Sequence, residues 1–105
     1  MMPRMARESS IQASIMVALS AHGCVPLRVN AGVLLVGDRA VKTAPPGFSD
    51  LLVLCPGGRC VFMEVKAGKG KQRESQVKFQ AMVEGMGGTY VVVRSVAEAL
   101  SSIHR

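Results

Sequence analysis

The chain has 105 residues, room for one small domain and no second core. Apolar residues make up 49% of it, enough for a core, yet no apolar run approaches the ~18 residues that a membrane-crossing helix needs. A net charge of +6 favours a polyanionic partner, while four aromatics (Phe48, Phe62, Phe79, Tyr90) and no tryptophan argue against a base-stacking surface for single strands.

Residues 8 to about 21 read as a helix ending near Gly23, a residue suited to a left-handed cap. Its apolar stripe runs through Ile11, Ile15, Ala18 and Leu19, and Glu8 extends that stripe at its start. An inward carboxylate there wants a cation, or simply favours the positive end of the helix. Residues 27–30 read as a short strand. Residues 33–36 and 39–42 flank Gly37-Asp38, a hairpin with glycine first in the turn, as a type II′ turn prefers. A loop over 43–47, with Pro45 and Pro46, then leads to Asp50.

The next hairpin carries the chemistry. Leu51 to Cys55 and Arg59 to Lys66 flank Pro56-Gly57-Gly58. A three-residue loop pairs Cys55 with Arg59 and sets Asp50 opposite Glu64. A two-residue Gly57-Gly58 loop would instead pair Leu51 with Glu64 and turn Asp50 to the other face. Opposed carboxylates destabilise a hairpin unless a cation sits between them, and Glu64 shares a face with Lys66. Two acids and an amine thus converge at the first register and scatter at the second.

A basic, glycine-rich loop over 67–72 leads to a helix over roughly 73–86, whose inward face is Gln76, Phe79, Val83 and Met86. Gly87-Gly88 ends that helix, 89–93 is a buried strand, and Ser95 with Glu98 reads as a capping box for a last helix over 96–104. The path from strand 59–66 through the helix to strand 89–93 reads as a right-handed parallel crossover. The expected architecture is α/β: one mixed sheet flanked by helices.

Cys24, Cys55 and Cys60 are odd in number and follow no signal sequence, so a reduced, cytoplasmic protein is expected. Cys55 and Cys60 read as buried packing rather than zinc ligands. His22, at a helix end, and His104, near the terminus, are poor catalytic candidates. Gly68-Lys69-Gly70-Lys71 lacks the spacing and the Ser or Thr of a phosphate-binding loop.

Glu8-Ser9-Ser10-Ile11-Gln12, Arg28-Val29-Asn30, Gly47-Phe48-Ser49-Asp50-Leu51, Gly57-Gly58-Arg59, Glu64-Val65-Lys66, Gly70-Lys71, Gln76 and Gly87-Gly88 follow one another in a telling order. That order and spacing resembles the VRR-NUC family of the PD-(D/E)xK nuclease superfamily, in its stand-alone phage and bacterial form. Ser49 stands where the motif has a proline that is not a ligand, and Arg73 where the family often has a helix-capping serine. The resemblance implies a restriction-endonuclease-like nuclease domain over 1–105. The activity implied is a metal-dependent DNA endonuclease acting as a homodimer on branched DNA such as Holliday junctions.

It further implies Asp50 and Glu64 as metal ligands, the Val65 carbonyl as a third, and Glu8 as an additional ligand, direct or through water. Oxygen-only ligation favours Mg²⁺ or Mn²⁺. Lys66 would orient the water or hold the phosphate, and its ammonium between two acids suits an electrostatic role better than that of a base. Gln76 would orient a water or a phosphate oxygen. Lys69, Lys71, Arg73 and Lys78, with Arg28 and Asn30, are the expected nucleic-acid contacts. The competing readings are a non-catalytic basic nucleic-acid-binding module and an interaction protein whose charge serves solubility.

Overall fold

The computed structural model describes residues 4–29 and 32–104. In chain order the elements are α1 (Arg4–Ala21), β1 (Val25–Arg28), β2 (Gly32–Val36), β3 (Arg39–Ala44), β4 (Leu51–Leu54), β5 (Cys60–Val65), α2 (Glu74–Gly85), β6 (Thr89–Val93) and α3 (Val96–Ile103). Four strands form the central sheet in the order β1-β4-β5-β6. The first two pairings are antiparallel and β5–β6 is parallel, giving the expected mixed sheet.

Alternation along β5 divides the core in two. Val61, Met63 and Val65 face α1 and α3, where they are buried with Ile15, Leu19, Leu51, Val53, Val93, Ala99 and Ile103. The even positions face α2, where Phe62 joins Phe48, Phe79, Val83 and Tyr90. Phe48 and Phe79 pack with centroids 4.8 Å apart and ring planes tilted by 43°. Glu64 and Lys66 therefore lie on the α2 side, at the end of this aromatic cluster.

α1 begins at Arg4, four residues before the expected start, because Arg-Met-Ala-Arg is a run of good helix formers with nothing to stop it. It ends as expected: Gly23 takes φ +83° and the Cys24 N–H donates to the Leu19 carbonyl at 3.0 Å. The strand that follows covers 25–28 rather than 27–30. It pairs with β4 immediately after the cap, from Val25 opposite Leu54 to Arg28 opposite Leu51. Pro26 is tolerated because β1 is an edge strand.

β2 and β3 pair only with each other, Val36 opposite Arg39 across the Gly37-Asp38 turn, and stand off the α/β body. Gly37 has φ +65°, as its turn position requires. Leu35, Val36 and Val41 on this ribbon are exposed.

Three smaller expectations change. Met86 is exposed rather than inward. The chain leaves the helix there, Gly87 turns left-handed at φ +85°, and the Gly88 N–H reaches back to the Val83 carbonyl at 2.9 Å. Cys60 is exposed because it opens β5 on the face away from the α1/α3 core. The capping box at α3 is half formed: Ser95 Oγ accepts the Glu98 N–H at 3.1 Å, but Glu98 accepts from Arg94 rather than Ser95. No helix among the described residues is long and apolar enough to cross a membrane.

Candidate active site

The turn between β4 and β5 sets the site. The Cys55 N–H donates to the Arg59 carbonyl at 2.7 Å and the Gly58 N–H to the Cys55 carbonyl at 3.1 Å, closing a three-residue loop. Gly57 and Gly58 take φ +88° and +85°, values that only glycine adopts freely. The ladder then runs from Leu54 opposite Cys60 to Leu51 opposite Met63. One further step sets Asp50 opposite Glu64, the first of the two registers considered.

The two acids interlock through the backbone. Asp50 Oδ2 accepts the Val65 N–H at 2.8 Å, and Glu64 Oε1 accepts the Asp50 N–H at 3.2 Å. Each carboxylate thus satisfies an amide that loses its partner where β4 ends. Glu64 is 2% exposed, and Lys66, at 8%, sets its Nζ 3.3 Å from Glu64 Oε2. Burial pushes the Glu64 carboxyl up to about 7, and the Asp50 charge adds to that; Lys66 pulls the other way without prevailing.

Gln76 completes the cluster from the first turn of α2. Its Nε2 donates to Glu64 Oε2, and its Oε1 accepts the Arg73 N–H at 2.8 Å. The second bond explains how the helix starts at Arg73 without a capping serine: the cap comes from three residues along. Gly47 fixes the approach of the Asp50 loop. At φ +82° its α-carbon lies so close to α2 that an added Cβ would fall 2.0 Å from the Ser75 carbonyl oxygen. Ser49, fully buried, donates to the Leu51 carbonyl at 2.8 Å, which satisfies its hydroxyl at the position before Asp50.

The other candidates divide. Glu8 is half-buried on α1, and α1 packs on the opposite face of the sheet. Among the described residues no three His, Cys, Asp or Glu side chains gather closely enough to hold an ion, so Glu8 does not join Asp50 and Glu64 directly. Lys69, Lys71, Arg73 and Lys78 are all exposed on the loop and helix beyond Lys66. Lys78 pairs with Glu74 at 3.3 Å in open solvent, a bond that contributes little. Arg28 is exposed at the end of β1, and the next residue, Val29, donates its N–H to the Asp50 carbonyl at 2.9 Å. Asn30 lies outside the described residues.

Tyr90 is the residue that sequence reasoning passed over. In the parallel register it stands beside Phe62, on the face that carries Glu64, with its hydroxyl buried. Burial and then the Glu64 charge push its phenol up to about 12. Period-two alternation carried across from β5 to the last strand would have found it.

Asp50 and Glu64, with the Val65 carbonyl on the same strand edge as its N–H, offer oxygen donors only. Such an oxygen-only donor set, with Asp50 half-buried and Glu64 buried, fits a hard divalent cation better than zinc.

This mixed sheet, with its acids at a hairpin end and helices on both faces, defines an α/β fold shared with a solved structure. That structure, described as a VRR_NUC domain, aligns with a TM-score of 0.69 and 24% identity over 94% of this chain and 96% of its own. No family model and no curated protein matches the chain.

Proposed function

We propose that the protein is a metal-dependent DNA endonuclease selective for branched structures such as four-way junctions, working as a homodimer with Mg²⁺ or Mn²⁺. One observation carries this reading: a half-buried Asp50 interlocked with a buried Glu64, the Lys66 ammonium against Glu64, at a surface edged by exposed lysines. Likeness of fold to a VRR_NUC domain adds support.

Phosphodiester hydrolysis needs a placed water and neutralised phosphate charge. Asp50, Glu64 and the Val65 carbonyl would hold the ion. Bound there, the ion would neutralise the phosphate and lower the pKa of an attacking water. Lys66 steers that water or a phosphate oxygen from its place beside Glu64. Gln76 keeps Glu64 Oε2 fixed, so the carboxylate need not reorganise during the reaction. Lys69, Lys71 and Arg73 hold the backbone on either side, with Lys78 and Arg28 further out. Two copies supply two such centres for the two strands of a junction.

The test is incubation with labelled four-way junction, flap, duplex and single-stranded DNA in Mg²⁺, Mn²⁺ or EDTA. Cutting of branched substrates that EDTA abolishes is the expected result. Binding without cutting leaves a non-catalytic module, and neither binding nor cutting overturns both.

A further inference from the structure

The far end of the same strands carries a second chemistry. β1 and β4 pair in a register that sets Val25 opposite Leu54, and one step outward Cys24 stands opposite Cys55. Cys55 sends its N–H to Arg59 and receives the Gly58 N–H on its carbonyl, while the Cys24 N–H turns back to Leu19. Neither residue exchanges backbone bonds with the other, so they form a non-hydrogen-bonded pair. Side chains approach most closely at such positions, with α-carbons ~4.5 Å apart, inside the ~4.4–6.8 Å that a disulfide spans. Both cysteines are free, buried at 5% and 6% exposure, and part of one core cluster.

We propose that Cys24 and Cys55 form a reversible cross-strand disulfide that staples β1 to the sheet. The inference does not rest on the nuclease reading. Cys24 lines an open cleft of about 310 Å³ with His22, Pro56, Arg59 and His104, which makes it the entry point. Its thiolate attacks a low-molecular-weight disulfide, breaking that S–S bond and releasing one thiol. The Cys55 thiolate then attacks the mixed disulfide at the Cys24 sulfur and releases the second thiol. Two protein thiols are oxidised and one external disulfide is reduced to two thiols. Burial and then the neighbouring Cys24 raise the Cys55 thiol above its ordinary value.

The experiment equilibrates the full chain with glutathione and glutathione disulfide over a range of ratios, then alkylates it after unfolding and maps the peptides by mass spectrometry. The expected product has lost two hydrogens, carries a Cys24–Cys55 cross-link and accepts alkylation only at Cys60. Its melting temperature rises on the order of 10 °C over the reduced form. The Cys60→Ser variant, altered at an exposed position, gives the same cross-link. Glutathione adducts confined to Cys60, with Cys24 and Cys55 both alkylated at every ratio, would overturn the proposal. So would a cross-link that requires Cys60.

Discussion

Lys66 and Glu64 separate chemistry from folding at single positions. Lys66→Ala removes an ammonium 3.3 Å from Glu64 Oε2 while leaving the Asp50–Val65 and Gln76–Glu64 bonds in place. Cleavage should fall about 100-fold or more, with junction binding and circular dichroism little changed; equal loss of all three would make the lysine structural. Glu64 governs pH dependence. Its carboxyl is raised from 4.5 to about 7 in the folded chain, so between those values the folded state holds a proton that the unfolded state has released. Stability therefore falls as pH rises from 4.5 to about 7 and levels off above. Melting curves of ion-free protein should show this slope, and Glu64→Gln should flatten it.

Elements show which parts of the fold were legible and which were not. The β4–β5 register was open between two loop lengths in the sequence, and the three-residue loop closed by Cys55 and Arg59 decides it. Both glycine helix stops were legible for the same local reason, a left-handed residue after an apolar stripe. β1 was misplaced by two residues, since four residues including Pro26 carry no period and its position is set by pairing with β4. Glu8 extended a helical stripe correctly, but a stripe says nothing about which face of the sheet the helix covers. Gln76 was placed inward without its second duty as the cap for Arg73, which required the fold to bring Glu64 and the helix start together. The Gly47 contact was equally invisible. Gly47→Ala must move the Ser75 carbonyl from a 2.0 Å clash and adopt a left-handed conformation. We expect a loss of roughly 3 kcal/mol or more in denaturant unfolding; a loss under 1 kcal/mol would mean that the loop does not rest on α2.

At the scale of the whole molecule, charge and apolar surface are unevenly spread. Exposed Lys69 and Lys71 lie on the loop between Lys66 and α2, so reversing both to glutamate should weaken binding to every DNA alike. It should also reduce the salt slope by about 2. An unchanged slope would place these lysines away from the phosphates. The β2–β3 ribbon, by contrast, shares no strand pairing with the central sheet, and a two-stranded ribbon by itself is only marginally stable. Its backbone amides should therefore take up deuterium long before those of β5, with opening that is insensitive to mutations such as Gly47→Ala. A protease cutting within this arm would leave two fragments that stay together through the sheet, so nicking the molecule there need not unfold it.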